Sequence, residues 1–187
     1  MIGLLPNSLW VGGVEHEINS DFRYGIAILN ELNNPDSSDT EKAGFMLQVL
    51  YGKQKLAGMA DYNEAYTQAL WFLQCGRKSG GDRDDSLDTM IFDWAQDEHL
   101  IFTGIAGSIG RDVRILDYCH FWEFMSYFAG MGECTFTTVC AIRSKRAKGH
   151  KLEKWEEEFY RKNRGIIDLE LDKRRKEDLF NEFFGVG

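Results

Sequence analysis

Asp93, Asp97, Glu98 and His99 are the tightest gathering of side chains with catalytic potential in this sequence. On a helix, Asp93 and Asp97 stand four residues apart on one face, where they could share a proton or a metal ion. A carboxylate–histidine metal shell on helices needs a second such helix to complete it, and none is evident. The acids therefore read as a solvated face opposite Ile91 and Trp94. His120 lies among aromatic residues, where a buried, hydrogen-bonded histidine is the default over a ligand. His16 falls on a strand face with no second ligand in place. Cys75, Cys119, Cys134 and Cys140 form no C-x-x-C pair, and none has a basic neighbour that would obviously lower its thiol pKa. The 19 glycines make neither a GxGxxG nor a phosphate-binding loop. The expectation is a chain without catalytic, cofactor-binding or metal-ligating residues, and not an enzyme.

Two stretches speak of binding instead. The basic run Arg143 to Lys151 contains no stacking aromatics and leads into Glu153, Glu156, Glu157 and Glu158, so it reads as a self-paired surface rather than a nucleic-acid site. Leu179, Phe180, Phe183 and Phe184 put a compact apolar end on a charged terminal helix of about residues 169–184. They are either docked on the chain's own core or a face for a partner helix or another subunit, and are the partner-binding candidates.

The elements that must position these residues are mostly helical. Only two prolines occur, Pro6 and Pro35, so few helix breaks are forced. Gly12-Gly13 between two short runs predicts a β-hairpin over about residues 8–18, with Val14, His16 and Ile18 on one face. Asn19 or Ser20 caps a helix to Asn33, and Ser38 with Glu41 forms a capping box for the next. Asp61 caps a third helix, ended by Gly76 at the C′ position. A charged loop, RKSGGDRDDS, spans 77–86, and a fourth helix is expected over about 88–109. Six of the eleven residues from Tyr118 to Phe128 are aromatic. They predict a central helix over about 115–131, with Tyr118, Phe121, Trp122, Met125 and Phe128 as its stripe. A shorter helix follows over about 136–146. The expected fold is mainly α: one helical domain around the aromatic helix, with the short N-terminal hairpin. Residues 1–140 form its core domain and 141–187 a charged helical extension.

Charge sharpens this division. The net charge is −8, but residues 1–140 carry 9 basic and 20 acidic side chains against 13 and 10 in residues 141–187. An acidic body repels nucleic acid. No run of 18 uncharged apolar residues predicts a membrane span, and no secretory leader is read. Four cysteines without a C-x-x-C pair, and no leader, then imply a reducing, cytoplasmic folding environment.

Five stretches in order carry a resemblance: LPNSLWVGGVEHEINSDFR (5–23), NNPDSSDTEKA (33–43), EAYTQALWFLQCG (64–76), IFDWAQDEHLIF (91–102) and ILDYCHFWEFMSYFAGMG (115–132). Together the chain resembles the gene-product-fifteen family of bacteriophages and prophages of low-GC Gram-positive hosts, over roughly residues 4–165. The family's central stretch typically reads tyrosine–leucine–histidine–tryptophan–tryptophan, against Tyr118-Cys119-His120-Phe121-Trp122 here. Members are usually encoded between the major tail protein and the tape-measure protein. The resemblance therefore implies a siphophage tail assembly chaperone that binds the tape-measure protein and assists tail-tube assembly. Such a chaperone is expected in the host bacterial cytoplasm and absent from the mature virion. The major tail protein and a second copy of the chain are further candidate partners. The alternative is a minor structural component of the virion, for tail completion or as a connector. No catalytic residues are carried over.

Overall fold

A computed structural model describes residues 3–77 and 91–170. Contacts divide the chain into two units, Met1–Arg83 with Asp112–Gly130, and Asp84–Arg111 with Met131–Gly187. The division expected at 140/141 falls inside a helix. The fold is mainly helical with a short two-stranded hairpin at its N-terminus.

In the first unit, β1 (Ser8–Val11) pairs antiparallel with β2 (Val14–Glu17), and Val11 stands opposite Val14. Gly12 and Gly13 both have positive φ, 60° and 75°, as a tight two-residue turn demands. The buried face belongs to β1 through Leu9 and Val11, whereas Val14 is exposed. β1 packs on α4 (Tyr62–Leu73). The first helix, α1 (Phe22–Leu32), is capped by Asp21 rather than by Asn19 or Ser20. The capping box of Ser38 and Glu41 forms as read and opens α2 (Asp39–Tyr51). A short α3 (Lys53–Leu56) follows Gly52.

The aromatic segment is helical over a shorter span than expected. A 3-10 turn covers Val113–Ile115, Tyr118 is an exposed residue outside any helix, and α6 runs from Phe121 to Ala129. His120 ends the non-helical part because its backbone pairs with Asp21 in an isolated bridge. The fully buried residues of α6 are Phe121 and Phe124, not the five-residue stripe read from helical spacing. Phe124 stacks on Phe22 at 4.7 Å between ring centroids, and Phe121 lies 5.6 Å from Phe72. α1 crosses α6 at Gly25, where a Cβ would stand 2.1 Å from Phe121 Cδ2. The hydrogen of glycine is what lets these backbones approach.

In the second unit, the fourth predicted helix begins later than expected. Residues 91–93 have no regular structure, 94–97 form a turn, and α5 spans Glu98–Ile109. It packs on α7 (Thr135–Ala147), close to the predicted 136–146. α8 (Lys154–Lys162) and α9 (Arg164–Ile167) complete the unit. Its core contains Val139, Ile142 and Ile167, with Leu100, Leu152, Phe159 and Tyr160 packed against them. The predicted terminal helix of 169–184 lies almost wholly outside the described residues.

Candidate functional site

The acid cluster does not share a helix face. Asp97 is the N-cap residue of α5 and is 1% exposed, while Asp93 lies upstream of the turn. Asp97 is buried because α7 delivers a buried cation to it: Arg143, 6% exposed. The guanidinium binds both carboxylate oxygens, Nη1 to Oδ2 at 2.5 Å and Nη2 to Oδ1 at 2.9 Å. Its remaining donors reach backbone carbonyls: Nε to Ile167 at 2.6 Å, Nη1 to Ile91 at 3.1 Å and Nη2 to Ile166 at 2.7 Å. All five N–H groups of a guanidinium thus find acceptors. Asp97 Oδ2 also accepts the Asp93 N–H at 3.0 Å, and Asp93 Oδ1 accepts the N–H groups of Ala95 and Gln96. A carboxylate 1% exposed that accepts two guanidinium bonds and a backbone N–H is engaged in structural bonds. Its chemistry is structural: it joins α7, the start of α5 and the end of α9. Glu98 and His99 are exposed. His99 borders a groove of about 550 Å³ shared with Gly104, Ser108, Glu133 and Cys134.

Arg143 is the residue sequence reading missed. Read as part of a solvated basic run, it is buried at the centre of the second unit. The available signal was its register: Val139, Ile142 and Arg143 share one helix face at spacings of three and four.

His120 sits where the first unit is tied together. Its Nδ1 accepts the Trp122 N–H at 3.0 Å, so it caps α6. The proton of the neutral ring therefore sits on Nε2, which donates to the Pro6 carbonyl at 3.0 Å. Around it, the backbones of 20–22 and 119–121 exchange bonds, Phe22 N to Cys119 O and Phe121 N to Ser20 O. Asp21 accepts from the Cys119 N–H, the Arg23 N–H and the Arg23 guanidinium. Ser20 Oγ donates to Asn7 and is 2.9 Å from the Tyr118 hydroxyl. This is the buried, hydrogen-bonded histidine expected. His16 lies on β2, partly exposed, opposite Leu9.

No disulfide joins the four cysteines. Burial pushes the Cys140 thiol up to about 11 and raises Cys75 as well, so both are held further from the reactive thiolate than an exposed cysteine. Among the described residues, no group of three His, Cys, Asp or Glu side chains is placed to hold a metal ion. Leu179, Phe180, Phe183 and Phe184 lie outside the described residues.

The family described as Bacteriophage Gp15 protein matches residues 1–169. The chain belongs to that family. Membership places it among bacteriophage proteins and suggests a structural or tail-related role. No curated protein and no solved structure matches it.

Proposed function

We propose that this chain is a tail assembly chaperone, which binds the tape-measure protein of its phage and assists assembly of the tail tube around it. The observation that carries the reading is the family match over residues 1–169, joined to the tail-module neighbourhood that the resemblance implies. The chain then acts in the host cytoplasm as a binding protein without catalytic, cofactor or metal chemistry. Support for a non-enzymatic role comes from how the chemistry-bearing residues are used. Asp97 and Arg143 bind each other and the surrounding backbone, and His120 has both ring nitrogens engaged in structural bonds.

A transient assembly factor leaves the finished particle. Mass spectrometry of gradient-purified virions tests this: the chain is expected to be absent, or far below one copy per tail. Stoichiometric recovery would contradict the chaperone reading in favour of a tail-completion or connector component.

A further inference from the structure

The hairpin and α4 are built without lysine or arginine. Residues 1–22 and 56–76 contain neither. Glu15 and Glu17 lie on β2, Asp61 is the N-cap of α4, and Glu64 stands in its first turn. These charges belong to one body, because the Gly12 N–H at the hairpin tip donates to Glu64 Oε2 at 2.6 Å. Large apolar side chains stand out of the same body: Trp10 and Val14 are 58% and 56% exposed, and Tyr62 and Tyr66 are exposed on α4. The register sets Trp10 opposite Glu15, so an indole and a carboxylate share one side of the hairpin. That pairing suits a lysine or arginine, which meets the ring as a cation and the carboxylate as a counter-charge.

The chain carries the complement elsewhere. From Ala141 to Leu152 there is no acidic residue. Lys145 and Arg146 are held by Glu156 and Asp168. Lys148, His150 and Lys151, between α7 and α8, are exposed, as is Lys154 at the start of α8. Among the described residues, no carboxylate pairs with Lys148, Lys151 or Lys154.

We infer that the side of the hairpin carrying Trp10, Glu15 and Glu17 in one copy of this chain takes the segment 148–154 of a second copy. The two surfaces differ, so the contact is heterologous and can recruit further copies. Its attraction is carried by exposed charges, which makes it fast to form and sensitive to salt. The inference does not rest on tape-measure binding, and its test uses the purified full-length chain alone.

Sedimentation equilibrium is measured for the wild type, for Glu15→Lys with Glu17→Lys, and for Lys148→Glu with Lys151→Glu, with circular dichroism confirming that each is folded. The wild type is expected to associate at low salt and to weaken about tenfold or more in roughly 0.5 M NaCl. Each charge-reversed variant alone is expected to sediment as a monomer. An equimolar mixture of the two is expected to regain association, because each reversed surface then meets a reversed partner. A wild type that stays monomeric at low salt would overturn the inference. So would variants that associate like the wild type, or a mixture that regains nothing. A monomer whose hairpin binds a lysine-rich peptide through Glu15 and Glu17 would also overturn it, assigning that side of the hairpin to another protein.

Discussion

Arg143 and Asp97 are worth more as a pair than either is alone. Removing one partner leaves the other charged, buried and without its bidentate counterpart, which costs about 3–5 kcal/mol. Asp97→Ala is therefore expected to lower the urea midpoint by that order, with Arg143→Met close behind. The double variant is expected to recover part of the loss, since two apolar groups strand no charge. Equal, additive losses in a double-mutant cycle would show that the pair is not coupled. Trp122 is half-buried, gives its indole N–H to the Phe72 carbonyl at 2.7 Å, and meets Trp71 edge-on. Trp122→Ala is expected to cost about 3 kcal/mol, at the lower end for a large aromatic because part of the ring is already in water. A near-neutral chemical melt would contradict that packing. The sequence shows Asp97 and Arg143 as charges but cannot show that residues 46 apart meet. Binary charge patterning assigns both to solvent, and only tertiary packing reverses this.

At the scale of elements, glycine and its absence decide two joints. Where α1 meets α6, Gly25→Ala drives a methyl into the Phe121 ring. Overpacking of a core usually costs about 1–3 kcal/mol, and here the wall is an aromatic ring with 0% exposure, so the upper end or more is expected in thermal unfolding. An unchanged melting temperature would mean that the helices part freely. The end of α4 is the converse case. Gly76 was expected at C′, yet Cys75 takes that place with φ 53° and Gly76 follows at C″. Gly76 N–H bonds to Trp71 O and Cys75 N–H to Phe72 O, the pattern of a Schellman end. A non-glycine residue in the left-handed region costs about 1–2 kcal/mol, so Cys75→Gly is expected to stabilise by up to about 1 kcal/mol once the looser unfolded chain is counted. Destabilisation would show that the thiol's packing outweighs the strain. The capping box at Ser38, the Gly12-Gly13 turn and α7 were legible because each depends on residues close in sequence. The start of α5 was not, because Asp93 and Asp97 fold the backbone of 93–97 onto their own side chains, a local competition that periodicity does not register. The start of α6 was hidden for a different reason: the 119–121 backbone is committed to 20–22, nearly 100 residues away.

For the molecule as a whole, one ion pair contributes to the pH dependence of stability at both ends of the range. Lys145 Nζ lies 2.7 Å from Glu156 Oε1, whose second oxygen accepts the Glu153 N–H. The lysine bond, with that backbone bond, lowers the Glu156 carboxyl, and the same bond raises Lys145. A lowered carboxyl stabilises the fold above its unfolded value, about 4.3, and loses that contribution as pH falls through its folded value. A raised lysine contributes fully below about 10.4 and loses its contribution as pH rises through its folded value. Stability is therefore expected to decline at both ends, and Glu156→Gln to flatten the acid limb. Urea midpoints across pH check this, and an unaltered acid limb in the variant would remove the pair's role. The hairpin, the helical class and the family were readable over most of the chain, because five ordered blocks constrain a fold more tightly than any one motif. The candidate site was less readable, because Asp97 with Arg143, and His120 with Pro6, are brought together only by tertiary packing. The most direct test of the proposed chaperone role is co-expression with the tape-measure protein of the same phage, followed by affinity co-purification and light scattering. A chaperone is expected to yield a soluble complex of defined stoichiometry from a tape measure that is insoluble alone. A tape measure that stays insoluble, while this chain purifies by itself as discrete rings, would contradict it.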